Sequence, residues 1–153
     1  MLGPKYTTYH STVLDVDPAT AWEQVRDFLQ MLAIAFGDSL KSAHWLKGGS
    51  VSKIPSLCRF VLLPNEDVAE EEVIGRSEHD RSLTYRTVGQ VLQIAEYVGS
   101  YQVLPVTNEP NRSFFSVSRE FRLVEDADPQ FLPSLLALMD QETNNIKAHF
   151  ASV

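Results

Sequence analysis

The chain has a single cysteine, Cys58, so no internal disulfide can staple it, and a small buried thiol is the ordinary role for such a residue. Its seven glycines never fall into a dinucleotide or P-loop pattern, which removes the usual phosphate cradles. Gly48-Gly49-Ser50 and Gly99-Ser100 lack the G-x-S-x-G elbow of a serine hydrolase. His10, His44, His79 and His149 are scattered one per element, without zinc-type spacing, so neither metal nor cofactor is expected. Basic residues are few: 13 Lys and Arg stand against 20 Asp and Glu, a net charge of −7. That balance disfavours nucleic acid, which needs a basic footprint, and anionic membrane surfaces. No apolar run reaches the roughly 20 residues of a membrane span, and Met1-Leu2-Gly3-Pro4-Lys5 has no signal-peptide core. The expectation is a cytoplasmic protein with no integral membrane segment.

What is present is ordinary for a globular protein: 44% hydrophobic and 22% charged residues. The 153 residues suit one domain, 1–153, large enough to bury a core. The most informative stretch is Asp128 to Val153. Asp128 can cap a helix and Pro129 can fill its first turn. Phe131, Leu132, Leu135, Leu136, Leu138, Met139, Ile146 and Phe150 then recur at helical spacing and form one broad apolar stripe. At about 1.5 Å per residue such a helix runs close to 40 Å.

Before it the chain reads as a strand, a pair of short helices and six further strands. Tyr6 to Val16 is the first strand. Asp17-Pro18 opens a helix carrying Ala21, Trp22, Val25, Phe28 and Leu29, and Met31 to Phe36 forms a second that ends near Gly37. The strands fall at 42–47, 56–63, 68–77, 82–88, 96–105 and 112–124, with a connector at 89–95 and a turn at 106–111. Short turns between strands predict an antiparallel sheet, and helices grouped around it predict an α+β fold. Period-two alternation puts Phe115, Val117, Arg119, Phe121 and Leu123 on the inner face of the last strand, and Tyr97, Gly99 and Tyr101 on the inner face of its neighbour. Tyr85 falls inside by the same count. Parity does not decide 56–63 or 68–77. In the acidic run Glu66, Asp67, Glu70, Glu71, Glu72, alternation sends either Glu71 or Glu72 inward, within reach of Arg59 or Arg119. An inner face with several tyrosine hydroxyls and an arginine is poorly suited to a solid apolar core, because an unpaired buried charge costs several kcal/mol. It suits a cavity holding water or a polar-ended ligand.

The order strand, two helices, six strands, long helix resembles the helix-grip fold of the START-like superfamily, which includes birch-pollen-allergen proteins, lipid-transfer domains and the polyketide cyclase/dehydrase group. Val16-Asp17-Pro18-Ala19-Thr20-Ala21-Trp22 resembles the family's opening. Gly48-Gly49 followed by Cys58-Arg59-Phe60-Val61-Leu62 resembles its glycine segment and third strand, and Arg81-Ser82-Leu83-Thr84-Tyr85-Arg86 its fifth. The chain departs from the pattern at Arg119, where the family often has Trp, and at Ile54-Pro55-Ser56, where a glycine is common. The resemblance implies a seven-stranded antiparallel sheet wrapped around a long C-terminal helix, two short helices after the first strand, and a hydrophobic ligand between sheet and helix.

On that basis Tyr85, Tyr97, Tyr101, Arg119, Val117, Phe121, Leu135 and Met139 are the candidate ligand-binding residues. Arg119 has three roles open to it: snorkelling to the sheet edge, pairing with an inward carboxylate, or receiving an acidic ligand. The leading function is binding of a small hydrophobic molecule with one polar end, a lipid, polyketide or aromatic metabolite. The alternative is a polyketide cyclase/dehydratase-type enzyme using Tyr, His or Glu as an acid–base group, and a third is a protein-interaction module with a vestigial cavity. Assembly as a homodimer stays open.

Overall fold

A computed structural model describes residues 2–151. Strand β1 (Leu2–Leu14) is followed by helices α1 (Pro18–Val25) and α2 (Phe28–Phe36). Strands β2 (Leu40–Trp45), β3 (Ser56–Leu62), β4 (Asp67–Ser77), β5 (Ser82–Thr87), β6 (Ile94–Val106) and β7 (Glu109–Val124) follow, then helix α3 (Phe131–His149). The strands form one sheet in the order β1-β7-β6-β5-β4-β3-β2 with every neighbouring pair antiparallel. This is the seven-stranded helix-grip architecture. Among the described residues no helix is long and apolar enough to cross a membrane.

Local chemistry accounts for the helix starts. Asp17 caps α1, its carboxylate accepting from the backbone N–H of Thr20 at 3.1 Å and from the Thr20 hydroxyl at 2.6 Å, and Pro18 takes the first turn. Phe28 and Leu29 do not continue this helix. Asp27 starts α2 by accepting from Gln30 N–H at 3.2 Å, so the break falls ahead of Phe28. At the C-terminal helix Asp128 does not act as the cap. Its carboxylate accepts from Gln130 N–H at 2.8 Å in a turn that precedes Phe131. The helix therefore has 19 residues, about 28 Å at 1.5 Å per residue, shorter than the sequence pattern suggests; Ser152 and Val153 lie outside the described residues. Its apolar stripe is also narrower. Met139, Ile146 and Phe150 are buried, whereas Leu136 and Leu138 are 37% and 38% exposed. Between β6 and β7 the expected six-residue turn shrinks to Thr107-Asn108, with Asn108 at φ +68°.

The interior has two apolar clusters. The larger joins α1 and α2 to the sheet through Trp22, Phe28, Met31, Leu83, Tyr85 and Phe115. The smaller gathers Ile94, Phe121, Leu123 and Met139 under the first half of α3. Tyr97 packs against both. The seam between them is where the interior opens.

Gly99 holds that seam in shape. It faces Tyr85 on β5 and Arg119 on β7 in one row across three strands. A Cβ on Gly99 would sit 2.5 Å from Tyr85 Cζ and 2.6 Å from its hydroxyl. The Tyr85 ring cannot yield easily, being held by the rings of Phe28, Tyr97 and Tyr101 at centroid distances of 4.8, 5.7 and 5.2 Å. Gly99→Ala is therefore expected to destabilise by about 2–3 kcal/mol through overpacking, read by urea unfolding. An unchanged midpoint would show that the tyrosine has room to move.

Candidate functional site

The site is built from one side chain or two on each of six elements. Glu71 comes from β4, Tyr85 from β5, Tyr97 and Tyr101 from β6, Arg119 from β7, His10 from β1, and Glu142 with Met139 from α3. A register shift in β4 between Val73 and Gly75 settles what alternation left open. Ala69, Glu71 and Val73 point inward, while Glu70 and Glu72 point out and pair with Arg59 and Arg86 at 2.7 and 2.9 Å. Arg59 is thus spent on the outer face.

Arg119 is only 4% exposed and its three nitrogens are all engaged. Nε donates to the Tyr97 hydroxyl at 2.9 Å, Nη1 donates to His10 Nδ1 at 3.3 Å, and Nη2 lies 3.5 Å from Glu142 Oε1. Of its three open roles, pairing is the one adopted, and the partner is Glu142 on the final helix rather than Glu71 or Glu72. A guanidinium has no acceptor, so His10 Nδ1 must accept. Its hydrogen then sits on Nε2 and is donated to Asp140 Oδ1 at 2.9 Å. His10 is a strut between β1, β7 and α3. Beyond Tyr97 the chain of hydroxyls continues to Tyr85 at 2.8 Å.

The electrostatics follow from burial. Glu71 is pushed up to about 8, first by desolvation and then by the neighbouring Glu142 carboxylate, with Arg119 pulling the other way. Glu142 is raised to about 7 because burial outweighs the attraction of Arg119 beside it. Tyr85, Tyr97 and Tyr101 are all held above the ordinary phenol range, chiefly by desolvation, so each keeps its hydrogen. Burial works against the charge on Arg119, but Tyr97, Tyr85 and Glu142 around it more than offset this. Cys58 is fully buried and pushed up to about 12 by desolvation, which makes it an inert core thiol.

A cavity of about 100 Å³ lies against this cluster, between the sheet, α2 and α3. That is room for about three waters at roughly 30 Å³ each, so the interior is not filled by side chains. Tyr85, Tyr97, Tyr101, Arg119, Leu135 and Met139 are on its wall. Val117 and Phe121 are not: Val117 is in the main core, and Phe121 packs between Tyr6 and Tyr97 at 5.6 and 6.3 Å. Two charged wall residues are not among the candidates that the sequence offers. Glu71 was one of two alternatives, and Glu142 was not singled out at all. A carboxylate three residues beyond Met139 on the same helix face was the available signal, since i and i+3 share a face. At the mouth stand Leu92 and Leu138, the former 48% exposed with φ +52°.

A family model described as polyketide cyclase / dehydrase and lipid transport matches residues 6–151. Among curated proteins no sequence matches. Solved structures do. A protein of Nitrosospira multiformis is 22% identical, with 96% of this chain and 97% of that one covered and a TM-score of 0.75. The Zhui aromatase/cyclase of a Streptomyces species is 12% identical, covers 95% and 93%, and has a TM-score of 0.77. A major latex-like protein of Panax ginseng is 18% identical, covers 98% and 100%, and has a TM-score of 0.73. At these identities the solved structures establish the shared fold, while the family match spans nearly the whole chain. The chain belongs to the polyketide cyclase/dehydrase and lipid transport family.

Proposed function

We propose that this member of the polyketide cyclase/dehydrase and lipid transport family binds a small hydrophobic molecule with one polar end in the cavity between the sheet and α3. The observation that carries the reading is a cavity with mostly apolar walls and one polar corner, formed by Glu71, Arg119, Tyr97 and Tyr101. Apolar walls supply affinity by burial, at about 25 cal/mol per Å², and a few placed polar groups fix orientation. At about 100 Å³ the space is small beside typical ligand sites of roughly 300–1,000 Å³. A larger guest enters by spreading the mouth at Leu92 and Leu138. Leu135, half-buried on the wall, is the place to block it. Leu135→Trp is expected to weaken binding of the neutral probe N-phenylnaphthylamine by about tenfold or more through lost volume, with secondary structure intact by circular dichroism. Probe binding that is undiminished in this variant, or absent in the unaltered protein, would sink the reading.

Glu71 favours a second reading, that of an enzyme. A buried carboxyl with its pKa near 8 is poised to exchange a proton near neutrality. Its test is exchange of the α-hydrogens of acetonaphthone with deuterated solvent, followed by NMR. Acceleration by the protein that disappears in Glu71→Gln would establish proton transfer; no acceleration leaves the protein a binder.

A further inference from the structure

The polar corner of the cavity holds more hydrogen-bond donors than the protein can use. Arg119 and Glu142 balance one another in charge. The guanidinium only donates, so the Tyr97 oxygen accepts from it. Tyr97 and Tyr85 share one hydrogen bond, which consumes one of their two phenol hydrogens whichever residue donates. The other hydrogen has no acceptor among the described residues. The Tyr101 hydroxyl lies on the cavity wall without a hydrogen-bond partner in the described residues. Glu71 is 7% exposed, lies on the same wall and likewise has no hydrogen-bond partner there. The titratable groups facing Glu71 are Glu142 from α3, Arg119 from β7, Tyr85 from β5, Tyr97 and Tyr101 from β6, and the Cys58 thiol from β3. With Arg119 already matched by Glu142, an ionised Glu71 would be a second, uncompensated negative charge in a desolvated space. Protonated, it is a third surplus donor.

We infer that the polar end of the ligand is an uncharged hydrogen-bond acceptor, a carbonyl oxygen in its simplest form, received by two of three surplus donors: the carboxyl of Glu71, the hydroxyl of Tyr101 and the spare phenol hydrogen of the Tyr85–Tyr97 pair. This rests on the hydrophobic-ligand reading and narrows it. An anionic end is disfavoured because it would face two carboxyl groups while the charge of Arg119 is already matched by Glu142. A cationic end would neutralise Glu71 but would set its own donors against the phenol hydrogens. A carbonyl oxygen has two lone pairs and brings no charge into the cavity.

Four naphthalenes that differ in one substituent separate these cases: acetyl, carboxylate, aminomethyl and ethyl, each titrated calorimetrically. At about pH 7.5, where Glu142 is ionised and Glu71 still holds its proton, the acetyl compound is expected to bind about tenfold tighter than the ethyl one, the worth of two ordinary hydrogen bonds, with both charged compounds weaker than ethyl. Between about pH 7.5 and about pH 9 the acetyl advantage should fade as Glu71 loses its proton, while ethyl binding stays level. Glu71→Gln, whose amide donates at every pH, should keep the advantage and lose its pH dependence. Tyr101→Phe should cost the acetyl compound about threefold or more and the ethyl compound nothing. Ethyl binding without an acetyl advantage, or tightest binding of either charged compound, overturns the inference and leaves the hydrophobic-ligand reading standing. If none of the four binds, both fall.

Discussion

Arg119→Met is expected to cost about 3–5 kcal/mol, the range found when one partner of a buried ion pair is removed. For a domain of this size that lowers Tm by about 6–20 °C. Methionine keeps most of the apolar stem, so the loss is electrostatic. Glu142 would remain mostly out of water opposite the sheet with no counter-charge, Tyr97 would lose the donor at 2.9 Å, and His10 Nδ1 the one at 3.3 Å. The loss should be smaller in acid, where Glu142 takes up a proton and no longer needs a partner. The double variant Arg119→Met/Glu142→Leu should recover most of the stability, because a buried pair replaced by apolar side chains is often neutral. Differential scanning calorimetry on the single and double variants measures both effects. A single variant melting within about 2 °C of the parent would mean that the pair stores no stability.

Stability should also fall as pH rises from about 4.5 to about 8, and Glu71 should be the main cause. Its folded pKa, about 8, stands above its ordinary value of 4.5 because burial penalises the charged form. Between those two pH values the folded chain keeps a proton that the unfolded chain has released, so the folded state binds more protons and loses stability as pH rises. The contribution is whole below about 4.5 and gone by about 8. Its size is on the order of 5 kcal/mol at about 1.36 kcal/mol per pH unit. Glu142, raised to about 7 by the same desolvation, adds to the slope over the lower part of that window. Asp17 and Glu78 act in the opposite direction: hydrogen bonds from Thr20 lower the first, and bonds from Trp22 and Arg26 lower the second despite some desolvation. Their contributions are lost only as pH falls below the ordinary carboxylate range, so the windows do not overlap. Glu71→Gln should match the parent near pH 5 and exceed it by a few kcal/mol near pH 9. Urea unfolding at those two pH values and at neutrality decides it. A parent protein equally stable throughout, or a variant with the parent's slope, would place Glu71 in contact with water.

Most of the architecture was legible in the sequence because its signals are local. Asp17-Pro18 states its own helix start, and alternation along 115–123 puts every second residue inside whatever the strand is paired with. The inward tyrosines and Arg119 were found by that count, and they do share one cavity. The errors fall where a distant contact outweighs a local pattern. Val117 and Phe121 have the parity of the cavity-wall residues, but ring and core packing draws them out of contact with the cavity. Leu136 and Leu138 belong to an apolar stripe that α3 does not fully bury, since its packing is set by α2 and β1. Glu71 could not be told from Glu72, because a one-residue bulge in β4 fixes which of them turns inward and no rule of alternation foresees a bulge. The pairing of Arg119 with Glu142 is the clearest case. Neither residue specifies the other through spacing, for they sit on a strand and a helix whose relative placement exists only once the chain has folded. Sequence periodicity determined which side chains face inward; tertiary packing decided which of them meet, and so which carboxyl is neutralised and which is left with a proton to offer.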